Sequence, residues 1–215
     1  MKKGPLKSLT IFFILIICVV SLARVYMPHS TKEAGKHEAE QKTVMKKTAA
    51  SYRPYQDPAS LRKPYDWHKP SQTTPYPKLK RLENDLSIRV SLKGNRVYIL
   101  RDHERVYTML ASSGVFKKGK SLTPTGTFKI RYDRGAAFYN PNLNEGASNW
   151  VSWDEQNVYL FHSVPTKSNG QYHKKEAQKL GVKPASHGCI RLSVADSNWL
   201  VEHIPAGTEV IIKNK

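Results

Sequence analysis

Leu86-Ser87-Ile88-Arg89-Val90-Ser91-Leu92, followed by Lys93-Gly94-Asn95, is the stretch on which the fold turns. Leu86, Ile88, Val90 and Leu92 alternate with polar residues, the period-2 pattern of a strand with one face in a core. Gly94-Asn95 is a turn signal. Val97 and Ile99, flanked by Tyr98 and Leu100, make a second strand. Asp102-His103 marks the next turn, and Val106, Thr108 and Leu110 begin a third strand. Three short strands joined by tight turns predict an antiparallel meander.

Downstream, Thr123-Pro124-Thr125-Gly126 reads as a loop before a strand from Thr127 to Arg131. Residues 133–149 are rich in Gly, Asn, Pro and Ala and read as a long irregular loop, of the kind that often covers a site. Val158 to His162 is a strand that delivers His162 at its end. Lys174 to Leu180 permits one or two helical turns, stopped by Gly181. Ser193 to Ile204 reads as the best helix. Ser193 caps it, Asp196 stands where a capping box places an acid, and Pro205 and Gly207 follow its end. Val210-Ile211-Ile212 is the closing strand. The expected fold class is therefore mainly β: a single sandwich-like domain over residues 86–215 with one substantial helix.

Upstream, residues 24–85 read as an extracytoplasmic linker rich in Pro, Lys and Tyr. Few aliphatics occur there, so the stretch is expected to be disordered and extended by its prolines. Residues 1–23 read as a signal peptide or N-terminal membrane anchor. Lys2, Lys3 and Lys7 precede an apolar run from Leu9 to Val20, and Ser21 and Ala23 fit the small-x-small rule for cleavage. The run is shorter than the roughly 20 residues that span a bilayer comfortably. Basic residues ahead of it direct the rest of the chain outward. The expected location is the outer face of a bacterial envelope, tethered to the membrane or released into the wall. The net charge of +18 is divided evenly, with 16 Lys and Arg against 7 Asp and Glu in residues 1–85, and 19 against 10 in residues 86–215. Without a dense basic run interleaved with aromatics, no nucleic-acid partner is expected. An anionic envelope polymer or lipid surface suits such a charge.

The chain has two cysteines, and Cys18 sits inside the apolar run as a small hydrophobe. Cys189, in Ser186-His187-Gly188-Cys189-Ile190-Arg191-Leu192, is the one thiol of the predicted domain. A lone thiol beside glycine, histidine and arginine points to a nucleophile. It needs a base, because an ordinary thiol is only a few per cent ionised near neutrality. His162, His187 and His173 are the candidates, in that order. Backbone N–H groups of His187, Gly188 and Cys189 are candidate oxyanion donors. The absence of C-x-x-C and H-x-x-x-H argues against a metal site, and no cofactor is expected.

Phe161-His162-Ser163 together with Ser186 to Leu192 resembles the catalytic signature of the L,D-transpeptidase domain family of peptidoglycan enzymes. Thr123 to Phe128, Asp196 to Leu200 and Ile204 to Val210 extend the resemblance over roughly residues 86–213. It implies Cys189 as the acylated nucleophile and His162 as its base and later acid. A backbone carbonyl, that of Ser163, would be the third member. Ser186, His187 and Gly188 would shape the loop and oxyanion hole, and Arg191 would contact the donor peptide. The implied activity cleaves the bond between the diamino acid at the third stem position and the D-alanine at the fourth. It then joins the acyl group to an amine of another stem, a 3→3 cross-link. Its partners would be peptidoglycan stem peptides, as donor and acceptor, with the enzyme a monomer. An L,D-carboxypeptidase using water, or a non-catalytic wall-binding module, are the rival readings. Two departures stand out. Between His162 and Ser186 lie 23 residues, more than in many members. Arg191 also stands where some members have asparagine.

Overall fold

The computed structural model describes residues 49–79 and 85–215, all within one compact unit, Lys46–Lys215. The segment expected to meet a membrane, residues 1–23, lies outside the described residues, as does the linker over residues 24–48 and 80–84. Among the described residues, no helix is long and apolar enough to cross a membrane.

The elements in chain order are β1 (Leu86–Ser91), β2 (Arg96–Arg101), β3 (Glu104–Leu110), β4 (Phe116–Lys117), β5 (Lys120–Ser121), β6 (Gly126–Lys129), β7 (Arg134–Asn140), β8 (Glu145–Ser152), β9 (Leu160–Ser163), α1 (Lys174–Ala177), β10 (Ile190–Leu192), α2 (Val194–His203) and β11 (Glu209–Lys213). The meander forms as its alternation demands, with Ile88 opposite Ile99 and Val90 opposite Val97. Asp102 and His103 both take positive φ (50° and 64°), which matches the tight β2–β3 turn to the strand twist. β11 returns parallel to β1, and β6 pairs outside it, giving the order β3-β2-β1-β11-β6.

A second sheet has the order β10-β9-β8-β7. β9 and β10 are parallel neighbours. Parallel neighbours need a crossover that leaves the sheet, and here the crossover carries α1. One core fills the space between the sheets. Ile88, Val90, Val97, Ile99, Met109, Val210 and Ile212 meet Val151, Phe161, Ile190 and Leu192, with Trp199 and Leu200 from α2. Full burial of each such side chain contributes roughly 1.5–3 kcal/mol.

Two expectations change. Residues 133–149 are no irregular loop. Most of them form the β7–β8 hairpin, paired from Arg134 with Val151 to Asn140 with Glu145. β7 is largely solvent-facing, so no apolar alternation marks it. The second change is the linker, for which composition predicts disorder. Residues 49–79 pack on the domain through polar groups that a count of aliphatics misses. Thr108 N–H donates to Gln72 Oε1 at 2.6 Å and Leu110 N–H to Ser71 Oγ at 2.8 Å, so this segment covers the free edge of β3. Tyr76 stacks on Trp199 at 5.0 Å, and Asp57 holds Arg96 through both carboxylate oxygens.

In α2, Ser193 Oγ accepts from Asp196 N–H at 3.0 Å, as a cap should. The Asp196 carboxylate has a further task. It is fully buried and accepts from Ser71 N–H (3.1 Å), Ser71 Oγ and Tyr76 OH (2.8 Å).

Candidate active site

β9 ends in Phe161-His162-Ser163, and β10 begins directly after Cys189. The parallel register sets Phe161 beside Ile190 and His162 beside Arg191. Phe161 and Ile190 point into the core. Alternate side chains point the other way, so Leu160, His162, Cys189 and Arg191 share a face and line a cavity of about 460 Å³. The hairpin adds Phe138, Asn140, Leu143, Glu145 and Gly146. Val158 and Tyr159 come from the loop before β9, and Ser186 and His187 from the loop before β10.

His162 is only 5% exposed. Its Nδ1 lies 2.6 Å from Ser163 O. A carbonyl only accepts, so Nδ1 carries the hydrogen and Nε2 is left as the acceptor. Phe138 stands edge-on to the ring at 5.5 Å. Burial, and then the Arg191 cation, push the imidazole down to about 3, against the lesser pull of the Ser163 carbonyl. Cys189 moves the other way. Burial pushes its thiol up to about 11, opposed by a Leu160 backbone hydrogen bond and by Arg191. Sγ donates weakly to Val158 O at 3.7 Å. At neutral pH the resting pair is therefore a thiol and a neutral imidazole.

The loop before Cys189 is tied on both sides. Ser186 Oγ donates to Cys189 O at 2.5 Å and accepts from Gly188 N–H at 3.1 Å. Thr123 Oγ1 donates to Gly188 O at 2.6 Å, which gives the Thr123-Pro124-Thr125-Gly126 run a purpose. Gly188 has φ +145°, and a Cβ there would sit 2.5 Å from Tyr159 Cε1. Tyr159 is itself stacked on Trp153. Of the three amides expected as oxyanion donors, that of Gly188 is already engaged by Ser186.

Arg191, expected to contact the donor peptide, lines the cavity and is held there by two carboxylates. It is 3% exposed, with Nη1 on Glu176 Oε2 at 3.0 Å and Nη2 on Glu145 Oε1. Two carboxylates thus occupy the guanidinium. His187 is 60% exposed in its side chain, with Nδ1 3.6 Å from Glu145 Oε2. His173 stands at the N-terminus of α1, outside the cavity lining. Glu145 and Glu176 carry no signal in the sequence, lying 46 and 15 residues from the arginine they hold. Among the described residues, no group of three His, Cys, Asp or Glu is placed to hold a metal ion.

A family model described as the L,D-transpeptidase catalytic domain (YkuD) matches residues 85–212. The chain belongs to the L,D-transpeptidase catalytic domain family. The provisionally named L,D-transpeptidase YciB of Bacillus subtilis is 37% identical over 208 residues, covering 95% of this chain and 99% of YciB. Among solved structures, an L,D-transpeptidase from Mycobacterium smegmatis aligns with a TM-score of 0.48 at 20% identity, over 60% of this chain and 58% of that one. An L,D-transpeptidase from Xylanimonas cellulosilytica aligns with a TM-score of 0.44 at 24% identity, over 64% and 65% of the two chains. This chain thus spans less than two thirds of either solved structure.

Proposed function

We propose that the chain is an exported peptidoglycan L,D-transpeptidase with Cys189 as nucleophile and His162 as its base. The observation that carries this reading is the shared cavity. One thiol and two imidazoles line it; that of His187 is largely exposed, while that of His162 is buried and fixed by Ser163 O with Nε2 as the free acceptor. As Sγ attacks the carbonyl carbon of the third stem residue, the thiol proton passes to Nε2. The C–S bond forms while the backbone amides of His187 and Cys189, that of Gly188 being engaged by Ser186, serve the developing oxyanion. The C–N bond to the terminal D-alanine then breaks, and the Nε2 proton leaves with the amine. A thioester remains. An amine from another stem attacks it, giving its extra proton to His162. That proton returns to sulfur as the C–S bond breaks, leaving a 3→3 amide link. The covalent intermediate divides one difficult acyl transfer into two easier ones.

A neutral starting pair suits this sequence of steps. The base stays unprotonated at every pH above its depressed value, and charge develops only as the attack proceeds. The basic n-region and apolar run of residues 1–23 support export across a membrane. The excess of positive charge suits an anionic wall.

The test is intact-protein mass spectrometry of the full chain with a disaccharide-tetrapeptide, alone and with an acceptor stem. An acyl adduct on Cys189 and a cross-linked dimer are expected, and both vanish in Cys189→Ala. An adduct that resolves only to tripeptide would make the enzyme an L,D-carboxypeptidase. No adduct with either common stem type would leave a wall-binding module.

A further inference from the structure

The crossover between β9 and β10 touches the site twice. Its first contact lies behind His162. Tyr172 OH is 2.9 Å from Ser148 Oγ on β8, and Ser148 Oγ is 3.0 Å from Ser163 Oγ. Ser148 N–H donates to the same Ser163 oxygen at 3.0 Å, and Ser163 Oγ donates to Val164 O at 2.8 Å. Ser163 is thus held by its side chain, while its carbonyl holds the Nδ1 hydrogen of His162. The second contact lies beside Cys189. Glu176 of α1 grips Arg191, two residues beyond the sulfur.

The crossover has its own footing. Ala177 and Leu180 are buried with Val164, Leu110 and Trp67. Trp67 stands edge-on to Tyr172 at 5.2 Å, so the segment before the domain braces the crossover in turn. Gly181 N–H donates to Ala111 O, and Gly181 O accepts from Arg96, anchoring the end of the turn after α1 to the first sheet.

We infer that residues 164–185 are a buttress for the reacting pair: Tyr172, through Ser148 and Ser163, orients His162, and Glu176, through Arg191, fixes the strand start that carries Cys189. The inference rests on reading His162 and Cys189 as that pair. Tyr172 and Glu176 are positioning residues and touch no substrate. Geometry explains why a crossover of this length is useful, since a misplacement near 1 Å costs on the order of 100-fold in rate.

The test uses the full chain with Tyr172→Phe, Glu176→Gln and, as a control, Lys175→Met. Lys175 lies on the same helix and is exposed, outside the cavity lining. Two readouts are taken: turnover with tetrapeptide donor and acceptor, and the pH profile of Cys189 alkylation by iodoacetamide, which needs no peptide substrate. Tyr172→Phe and Glu176→Gln are expected to lower kcat roughly tenfold with KM nearly unchanged. In Glu176→Gln the Arg191 cation is less neutralised, so the alkylation profile moves to lower pH. Lys175→Met moves neither. If both variants keep wild-type kcat and an unmoved alkylation profile, the buttress is wrong. If the wild type alkylates normally but makes no cross-link, the proposed function fails, while a shifted profile in Glu176→Gln still upholds the buttress. Should Glu176→Gln lose its fold by circular dichroism, Tyr172→Phe, which deletes one hydroxyl, decides the matter.

Discussion

Cys189 sits in surroundings that keep its proton on, and His162 in surroundings that keep a proton off. Without substrate, alkylation of Cys189 should therefore climb steadily above about pH 9, with no plateau near neutrality. A plateau at about pH 6–8 would mean a preformed thiolate–imidazolium pair. The same burial governs stability. The His162 imidazole titrates at about 3 when folded, against an ordinary value of 6.5. Between those values the unfolded chain binds a proton that the folded chain refuses, so stability is intact above about 6.5 and falls as pH drops toward about 3. Urea midpoints measured from about pH 7 to about pH 4 should fall, and His162→Gln should flatten part of that fall. Gly188 offers a steric test. Its φ and the 2.5 Å approach to Tyr159 leave no room for a methyl group. Gly188→Ala should cost roughly 1–3 kcal/mol in urea unfolding and abolish acylation, seen as the absence of a mass adduct. At this scale the sequence is readable where chemistry is local. The thiol, glycine and serine announce themselves by type and adjacency. Glu145 and Glu176 do not, because only the folded sheet and the crossover helix bring them to Arg191.

Among elements, legibility follows periodicity. β1 and β11 alternate in burial and in sequence, whereas β2 and the second half of β3 are buried on both faces and read as apolar runs beside turns. α2 is bounded by its cap and by Pro205. β7 eludes such a reading because neither face is consistently buried, and the pairing with β8 makes it a strand. Residues 49–79 elude it for another reason. They are held by hydrogen bonds through Ser71, Gln72 and Asp196 and by stacked rings, none of which needs an aliphatic pattern. Ser71→Ala tests this attachment. It removes the partner of Leu110 N–H and one donor to the buried Asp196 carboxylate. Two buried groups short of a partner should cost roughly 2–4 kcal/mol, read as a lower urea midpoint with unchanged activity in the folded fraction.

For the whole molecule, the family match starts at residue 85, but the packed structure begins earlier in the chain. A chain cut to residues 85–212 would expose the β3 amides of Thr108 and Leu110 on an open edge. Open edges recruit other strands. The shortened chain should therefore form concentration-dependent oligomers in sedimentation velocity, where the full chain does not. Order of synthesis gives the same segment a second meaning. Chains are made from the N-terminus, and their parts begin to fold in that order. Residues 71 and 72 thus exist before the backbone they will protect, and β3 is met by its guard at birth. On the proposed export route the chain emerges beyond the membrane in the same order, so residues 71 and 72 arrive there ahead of the edge they cover.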